Sequence, residues 1–456
     1  MDYQALLKDS GRTSRVGVIG ATKGYGYTLL AQMVTVSQMQ LRAVCSRHTD
    51  ECLSVLREIG YEESKFRVCT DETQILEAPE DAIIVTADYR LVLKTGVTSI
   101  VESTGNVSVG TDAALRAIGC GINVYMVSKE VDSVCGTELN RLAAEKGVIY
   151  TLVNGDQPRN LLDLISWARV LGLEIVCAGK SSEYDFIYNR ESREFLYNDG
   201  NHTAETIPGL SEAWHYEGVQ TLKKREELLS SYCESISADL CEMNLVSNVS
   251  GLLPASKKLH YPIARPGELA DIFIPKEDGG ILDRTGVVDV FYNFRDVDEA
   301  SFCGGEFIVV RCQNKKMWDI LAGKGHVMSR DGKYCCIYHP YHFMGLETPV
   351  SILMGDLRDI GTHPETRQVS LLTGRAKEDI PEGTVLRVEG HHHEIRQADP
   401  ELLEVRKDCV FAPYYLLNGA KVVRPVKKGE VLRPQDVEIQ CRNAYELYEK
   451  GLSRSM

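Results

Sequence analysis

Short apolar runs alternate along residues 14–155 with segments in which apolar residues recur at helical spacing. The apolar runs have the length of buried strands and lie at 15–20, 40–45, 81–85, 98–102, 121–126 and 147–150. The helical segments between them lie at 28–36, 50–59, 110–118 and 136–146. Strands that alternate with crossover helices predict an α/β domain of the Rossmann type, a doubly wound parallel sheet formed by residues 1–155.

The pattern changes in the middle of the chain, where longer helical segments appear at 158–171 and 226–248. They are mixed with strand-like apolar runs at 287–292 and 306–311. This mixture predicts an α+β domain over residues 156–365 that packs against the first domain.

The last part of the chain, residues 366–456, is rich in β-branched residues, glycine and proline. A faint internal repeat links residues 379–386 to residues 425–432, and each copy has the pattern of a strand, a turn at glycine and a second strand. These features predict a small all-β module.

The composition of the chain limits the partners and the cellular location that we expect for it. The 456 residues include 51 Lys and Arg against 65 Asp and Glu, a formal net charge of −14, which disfavours nucleic acids and anionic membranes as partners. The chain begins without the pattern of a signal peptide, and no run approaches the ~20 apolar residues that span a bilayer. The fourteen cysteines are scattered without C-x-x-C spacing. We therefore expect a cytoplasmic protein with reduced thiols.

The strongest local signal is a glycine-rich turn between the first apolar run and the first helical segment. Backbone N–H groups at such a turn can approach a pyrophosphate, which the helix dipole also favours. The spacing is G-x-x-x-G-x-G rather than the usual G-x-G-x-x-G, and a turn whose glycines serve packing alone is the alternative. The residues predicted to contact a dinucleotide here are Gly20, Ala21, Thr22, Lys23, Gly24, Tyr25 and Gly26.

The end of the second predicted strand indicates which dinucleotide binds. It has the sequence Ser46-Arg47-His48 and lacks the acidic residue that binds the ribose hydroxyls of NAD. A hydroxyl beside a guanidinium suits a 2′-phosphate, so we predict NADP rather than NAD, with a solvated loop as the alternative. The turn Ser103-Thr104-Gly105 follows a later strand and is predicted to contact the nicotinamide half.

Together with longer blocks of sequence, these motifs resemble the homoserine-dehydrogenase-like NAD(P)-dependent oxidoreductases that carry a C-terminal SAF domain. One branch of that group is similar to the second type of 1-deoxy-D-xylulose 5-phosphate reductoisomerase. The resemblance implies a homodimer or higher homo-oligomer, and it permits a divalent cation bound chiefly through substrate oxygens. The blocks that carry it are 20–26, 101–106, 155–158, 178–180, 242–248, 338–347 and 423–432.

Hydride transfer to a carbonyl requires orientation, a cationic group at the developing alkoxide and a proton donor. Lys129, which follows a predicted strand, and Lys180, which follows a pair of small residues, are the catalytic candidates. The resemblance matches Lys129 to the lysine beside the nicotinamide and Lys180 to a lysine block of the SAF-bearing group. Glu130 is predicted to pair with Lys129 or to accept a hydrogen bond from substrate, and surface lysines are the alternative.

Two further clusters are substrate-binding candidates. Asp156 and Gln157 precede Pro158 at a predicted helix start, where Asp156 either caps the helix or contacts substrate. His339, Tyr341 and His342 form a polar and aromatic cluster that binds substrate unless its histidines are satisfied in the interior.

No metal site is predicted, because the spacing of His339 and His342 is a poor zinc signature and three adjacent histidines at 391–393 cannot easily converge on one ion. We expect residues 391–393 to form an exposed turn.

The sequence thus predicts an NADP(H)-dependent oxidoreductase that reduces a carbonyl, or oxidises a secondary alcohol, on a small polar substrate with or without a phosphate group. The reductoisomerase reaction is the alternative within enzymes. A non-catalytic NADP-sensing or sugar-binding protein is the alternative of another class.

Overall fold

The first layer of the molecule is a parallel sheet with strand order β3-β4-β2-β1-β5-β6-β7. The computed structural model of the chain describes residues 2–8, 11–233, 236–362, 366–407 and 410–455. Helices cover both faces of the sheet, so its strands are buried on both sides and are rich in β-branched residues. The strands are β1 (Ser14–Ile19), β2 (Met39–Cys45), β3 (Phe66–Val68), β4 (Ile83–Thr86), β5 (Ser99–Glu102), β6 (Asn123–Met126) and β7 (Tyr150–Leu152).

The predicted doubly wound sheet is confirmed, with differences at the ends of elements. Short β3, α4 and α5 were not predicted, because a few residues carry too little periodicity to be recognised. Lys129 follows β6 and is the first residue of α7, which begins earlier than the predicted segment 136–146 because its apolar periodicity becomes clear only later. The helices of this part are α1 (Tyr3–Leu7), α2 (Gly24–Met33), α3 (Thr49–Ile59), α4 (Glu72–Glu77), α5 (Tyr89–Val92), α6 (Val107–Gly119) and α7 (Lys129–Lys146).

The second layer is a mixed sheet with the path β11-β10-β9-β14-β8-β15-β17-β16, in which β12 and β13 also pair with β14. Its strands are β8 (Ile175–Ser181), β9 (Phe186–Asn189), β10 (Glu194–Tyr197), β11 (Glu205–Thr206), β12 (Leu253–Pro254), β13 (Ile263–Ala264), β14 (Val287–Arg295), β15 (Glu306–Arg311), β16 (Val327–Met328) and β17 (Tyr334–His339). Its helices are α8 (Gln157–Val170), α9 (Val219–Leu229), α10 (Ser237–Ser250), α11 (Leu269–Ile272), α12 (Lys315–Ala322) and α13 (Thr348–Arg358).

The single helix predicted over residues 226–248 is wrong. The chain forms α9 and α10 instead, and residues 234 and 235 of the predicted helix lie outside the described residues. Ser230 and Ser231 follow α9, where serine side chains compete with the helical backbone for hydrogen bonds. α10 is buried on nearly all sides, so it runs through the interior between the layers.

The helix α13 belongs by sequence to the predicted middle domain but packs against the first sheet. Its Asp356 carboxylate accepts hydrogen bonds from the hydroxyls of Thr98 and Ser99 at 2.9 Å and from Asn123 and Tyr125 at 2.8 Å. The hydroxyl of Ser14 donates a further bond. One carboxylate thus ties α13 to three strands, and the domain limits at 155 and 365 stay a prediction, residue 365 lying outside the described part.

The C-terminal part contains an antiparallel sheet of order β18-β21-β20-β19 and the pair β22 and β23. Gly383 and Gly429 of the repeat turn at φ values of +89° and +85°, but their flanks form isolated bridges, such as Ile380 with Val426, rather than the predicted strands. The elements are β18 (Ser370–Ala376), β19 (Val388–Glu389), β20 (Glu394–Ile395), β21 (Ala398–Glu404), β22 (Lys421–Val422), β23 (Val437–Glu438) and α14 (Arg442–Ser455).

The helix α14 was not predicted, so this part of the chain is not all-β. α14 packs against α6 and α7 and buries Ala444, Leu447 and Leu452. Within the described ranges no helix combines the length and the apolar character needed to cross a membrane. The cysteines that the structure describes are free thiols.

The contacts of Asp356 predict a test of stability. We expect Asp356→Ala to lower the free energy of unfolding by about 3 kcal/mol, because several buried donors lose their acceptor. Urea denaturation followed by circular dichroism measures this change. Glu77→Ala, at an exposed position on α4, is the matched control and should change stability by less than about 0.5 kcal/mol. Equal stability of the two variants would contradict the assigned role.

Candidate active site

A cleft of about 420 Å³ opens where the carboxyl ends of the first sheet face the second sheet. Ligands of open α/β sheets bind at such carboxyl ends. The first sheet, the second layer and the C-terminal part all supply side chains to this cleft. Its polar lining residues include Ser103, Lys129, Glu130, Asp156, Gln157, Lys180, Glu183, Asp239, Glu242, His342, His391, His393 and Tyr415.

The ammonium group of Lys180 is buried, and all three of its N–H groups donate hydrogen bonds. It donates to Gln157 Oε1 at 2.6 Å, to Asp239 Oδ1 at 2.7 Å and to Glu242 Oε2. Its side chain is only 3% exposed. Because an ammonium has three N–H donors, Lys180 has none left for a substrate.

The ammonium group of Lys129 has a different environment. It contacts Asp156 Oδ1 at 3.4 Å and Glu242 Oε1, and its side chain is 26% exposed. Two acceptors among the described residues leave one N–H uncommitted. Lys129 is therefore the lysine that can donate a hydrogen bond into the cleft.

Glu242 connects the two lysines through its two carboxylate oxygens. Burial alone would raise the pKa of Glu242, but the adjacent ammonium groups outweigh it and lower the pKa to about 2. Burial opposes the charge of Lys129 and Lys180, yet the surrounding carboxylates raise both lysine pKa values above their usual range. The lysines therefore stay protonated at neutral pH.

Asp239 and Glu242 were not predicted as site residues, although Glu242 lies in one of the blocks that carry the resemblance. They are three residues apart on α10, so both face the same side of a helix that is buried along most of its length. Two acidic residues on one face of a buried helix form a pattern from which Asp239 and Glu242 could have been predicted. Ser182 supports the pair by donating to Asp239 Oδ2 at 2.8 Å.

Asp156 occupies the N-cap position of α8, but its side chain makes no capping hydrogen bond. It faces Lys129 instead, while the neighbouring Gln157 accepts from Lys180. Burial raises the pKa of Asp156, and Lys129 opposes that shift. Of the two alternatives for Asp156, the structure favours a position in the cleft.

Of the predicted cluster of His339, Tyr341 and His342, only His342 lies in the cleft. His342 lines the cleft, and its Nδ1 lies 2.9 Å from the carbonyl oxygen of Gly304. A carbonyl only accepts hydrogen bonds, so Nδ1 carries the proton and a neutral ring presents Nε2 as an acceptor. His339 does not share this position, because it ends a strand and the next residues do not continue as a helical turn.

The other two members of that cluster lie outside the cleft. His339 Nδ1 is 3.3 Å from Oε2 of the buried Glu306, and Tyr341 stacks on Phe343 with ring centroids 4.8 Å apart. Burial raises the pKa of Glu306 to about 8. His339 and Tyr341 do not line the cleft, and their binding of substrate stays a prediction.

The histidines at 391–393 form a turn, as predicted, but the turn covers the cleft. His391 Nε2 is 2.7 Å from Glu183 Oε1. His393 Nδ1 lies 3.0 Å from the Tyr415 hydroxyl and 3.6 Å from Glu130 Oε1. Burial raises the pKa of Glu130 to about 7. Among the residues that the structure describes, no group of histidine, cysteine and acidic side chains has the geometry of a metal site.

The glycine turn has the geometry of a phosphate cradle. Gly20 turns at φ +89° with its Cα so close to Ser103 that a Cβ would lie 2.7 Å from the Ser103 carbonyl oxygen. Gly24 starts α2 at φ +51° with open space beside it. The N-cap residue Lys23 makes no side-chain capping bond, so no side chain caps the first N–H groups of α2. These features fit a pyrophosphate.

The other residues of the glycine turn are packed against the rest of the protein. Ala21 and Gly26 are buried, and Thr22 is half-buried. Tyr25 lines the cleft, and its hydroxyl contacts Thr348 Oγ1 at 2.6 Å and the Asn154 carbonyl oxygen at 3.1 Å. Tyr25 thus anchors the turn to the second layer.

Arg47 and His48 at the end of β2 are exposed, and Ser46 is half-buried. The Ser46 hydroxyl accepts from the His48 backbone N–H at 3.3 Å, which orders this corner. Arg47 forms no hydrogen bond or ion pair with the described residues. The exposed Lys23 lies 3.6 Å from Glu51, a weak surface pair. Both cations are available to a phosphate.

The turn after β5 supports the cleft more than it contacts a ligand. The Ser103 hydroxyl donates to the Gly20 carbonyl at 2.8 Å, and the Thr104 hydroxyl donates to Glu102 at 2.5 Å. The Gly105 N–H donates to Ser128 at 2.8 Å. Ser103 and Gly105 line the cleft, whereas Thr104 does not. The Thr104 side chain turns inward because Glu102 is buried and needs donors.

Residues 155–348 match the family described as "Oxidoreductase DRL, catalytic domain". The matched segment contains Asp156, Lys180, Asp239, Glu242 and His342 of the cleft. No curated protein matches the chain.

Among solved structures, the chain is similar to the UDP-N-acetylglucosamine 3-dehydrogenase GnnA from Acidithiobacillus ferrooxidans, at 11% identity over 77% of this chain and 91% of that one, with a TM-score of 0.37. It is similar to a dihydrodipicolinate reductase from Paenisporosarcina sp. TG-14 at 10% identity over 77% and 96%, with a TM-score of 0.35. A dehydrogenase from Chromobacterium violaceum matches at 16% identity and a TM-score of 0.26 over 39% of this chain, and the chain spans 46% of that protein.

The shared carboxylate predicts a pH-dependent loss of stability. Glu242→Gln should lower the free energy of unfolding by about 3 kcal/mol near pH 7, because two buried ammonium groups lose a charged partner. The folded pKa is about 2 and the unfolded pKa about 4.3, so the ionised form stabilises the fold above about pH 5. This contribution is lost as the pH falls through 4 towards 2.

Urea denaturation of both proteins between pH 3 and pH 8 measures this difference. Glu446→Gln, an exposed position on α14, is the control and should behave as wild type throughout. A difference between Glu242→Gln and wild type that stays constant down to pH 3 would contradict the assigned charge state.

Proposed function

We propose that the protein is an NADP(H)-dependent oxidoreductase that interconverts a carbonyl and a secondary alcohol on a small polar substrate. The observation that carries this proposal is the single uncommitted N–H of Lys129, which faces a polar cleft beside the glycine turn. A protonated donor beside a reducible carbonyl is what hydride transfer requires of the protein.

The residues of the first sheet would hold the cofactor. The N-terminus of α2 would bind the pyrophosphate, and Arg47 would bind a 2′-phosphate because no acidic residue stands at the end of β2. When bound, the nicotinamide would supply or accept the hydride.

Lys129 would donate a hydrogen bond to the substrate oxygen and stabilise the negative charge that develops there during reduction. Asp156 and Glu242 keep this ammonium protonated and fix its position. Lys180 would act as a positioning residue, since its three donors hold Gln157, Asp239 and Glu242. This division of roles replaces the expectation that both lysines bind the alkoxide.

The remaining polar groups would bind hydroxyls or a phosphate of the substrate. His342 offers Nε2 as an acceptor while Gly304 fixes its ring, and a Cβ at Gly304 would lie 2.5 Å from that ring. His393 of the C-terminal part and Glu130 of α7 line the same cleft as Lys129 and lie 3.6 Å apart. Such a lining favours a polyol or keto-sugar over an apolar substrate.

The reductoisomerase reaction on 1-deoxy-D-xylulose 5-phosphate is the second candidate. It is favoured because the sequence block 242–248 belongs to the resemblance, and Glu242 of that block lies in the cleft. A divalent cation has little support from the carboxylates, since those of Asp156, Asp239 and Glu242 are engaged by lysines.

Oxidation of NADPH, followed by absorbance with a panel of keto-sugars, amino-acid semialdehydes and 1-deoxy-D-xylulose 5-phosphate, tests the proposal. We expect turnover with at least one polar carbonyl compound. Turnover with the deoxyxylulose phosphate alone would establish the second candidate. Binding of NADPH without hydride transfer to any member of the panel would contradict the proposed substrate class.

The cofactor assignment predicts a selective loss of affinity. Arg47→Ala should weaken NADPH binding about tenfold or more and leave NADH binding unchanged, because only NADPH carries the 2′-phosphate. Isothermal titration calorimetry with both nucleotides measures this. Arg67→Ala, at an exposed arginine on β3, is the matched control and should alter neither affinity. Tighter binding of NADH than NADPH by wild type would contradict the assignment.

The unequal environments of the lysines predict unequal kinetic effects. Lys129→Met should reduce kcat about 100-fold or more without changing NADPH affinity, because the donor at the substrate oxygen is lost. Lys180→Met should lower the midpoint of thermal unfolding as well as kcat, because the buried carboxylates lose their shared cation. Steady-state kinetics and thermal denaturation separate these outcomes.

Lys324→Met, at an exposed position, is the matched control for both substitutions and should retain activity and stability. A Lys129→Met enzyme with at least half of the wild-type kcat would remove Lys129 from the mechanism.

A further inference from the structure

A second cavity of about 690 Å³ lies in the middle part of the chain, between α9 and the segments around residues 258–263 and 276–281. It shares no described lining residue with the cleft. Its volume falls within the range typical of sites for small organic ligands. The proposed enzymatic function assigns it no role.

The wall of this cavity contains a strained backbone. Leu259 and Tyr261 have φ values of +59° and +46°, a left-handed conformation that is unfavourable for residues other than glycine. Between them, the His260 backbone N–H donates to Asp289 Oδ1 at 2.8 Å. The strain is thus used to hold one histidine in a fixed position, which is typical of functional sites.

Asp289 also fixes the orientation of the His260 ring. Nδ1 lies 2.6 Å from Oδ2 of Asp289, whose side chain is fully buried. The carboxylate accepts a hydrogen bond from Nδ1–H, and Nε2 has no hydrogen-bond partner among the described residues. Burial disfavours the charged ring, but the bond to Asp289 outweighs it and raises the pKa of His260. When the ring is protonated, Nε2 carries an N–H that can donate to an anion, and the bond to Asp289 favours this form.

Lysines at the opening add positive charge. Lys223, Lys258 and Lys276 line the cavity, whereas Glu226 is the one acidic side chain in the described lining. Lys258 pairs with Asp399 at 3.0 Å and Lys276 with Asp283 at 2.7 Å. Both pairs are exposed, so they are weak and can be exchanged for a ligand anion. A basic rim is notable in a chain of net charge −14.

The interior of the cavity is apolar. Leu222, Leu259 and Ile263 are buried side chains of the lining, and the rings of Tyr261 and Tyr292 lie 5.3 Å apart, centroid to centroid. Aliphatic and aromatic walls favour an apolar body, and the charged rim favours an anionic head group.

We infer that this cavity, named here the His260 cavity, binds a small amphipathic anion: a carboxylate or phosphate head at His260 and the rim lysines, with an apolar body against Leu222, Ile263 and Tyr292. The inference is independent of the proposed oxidoreductase substrate, because the two cavities share no described lining residue.

The probe for this site is 1-anilinonaphthalene-8-sulfonate, an aromatic anion whose fluorescence rises in apolar surroundings. The full chain is titrated in the presence of saturating NADP⁺, so that the dinucleotide site does not contribute. The double variant Lys223→Glu/Lys258→Glu should bind the probe at least tenfold more weakly than wild type. Lys315→Glu/Lys316→Glu on α12 makes the same change in net charge and should bind within twofold of wild type.

Competition identifies the head group. Decanoate and decyl phosphate should displace the probe, and the tighter of the two defines the preferred anion, whereas decan-1-ol should not displace it at the same concentration. Equal binding by both double variants, or equal displacement by decan-1-ol, would overturn the inference. Turnover of NADPH should be the same in wild type and both double variants, so failure here is distinguishable from failure of the proposed function.

Discussion

One buried carboxylate between the ammonium groups of two lysines governs the arrangement of this protein. Glu242 on α10 meets Lys129 at the start of α7 and Lys180 near the end of β8. A buried charge that loses its partner costs several kcal/mol, so these three elements must keep their mutual positions. The same arrangement determines the chemistry of the cleft. All three N–H donors of Lys180 are hydrogen-bonded within it, whereas Lys129 keeps one N–H donor for a ligand.

A second set of contacts fixes the cofactor turn relative to this charge cluster. Gly345 packs against Thr28 and Leu29 of α2 so closely that a Cβ would lie 2.8 Å from the Leu29 nitrogen. A Cβ at Gly155 would lie 2.5 Å from the Phe343 carbonyl oxygen. The segment that carries His342 therefore touches two other parts of the chain. One is α2, the helix that begins within the glycine turn, and the other is the loop that leads to Asp156. Glycines at these points allow the two layers to approach closely.

The sequence was informative wherever a local pattern determines position. Alternating apolar and helical segments predicted the parallel sheet, and parallel strands align their carboxyl ends, so the residues that follow these strands, Lys129 among them, were the natural candidates for the cleft. Glu242 and Asp239 were not expected, because their partners lie far away in the chain and only tertiary packing reveals them. His339 and His342 could not be separated, since that depends on where β17 ends. The break between α9 and α10 was missed because apolar residues continue across it.

The packing of α14 has a consequence for how molecules enter and leave the cleft. Tyr448 of α14 donates to the Phe411 carbonyl oxygen at 3.1 Å, and the helix lies across α6 and α7. The C-terminal part is thereby fastened to the layer that carries Lys129, and the two cannot rotate apart without separating an apolar interface. The turn at 390–393, by contrast, is held at its tip only by the exposed pair of His391 with Glu183, so the contact that covers the cleft is weaker than the contact that fastens α14.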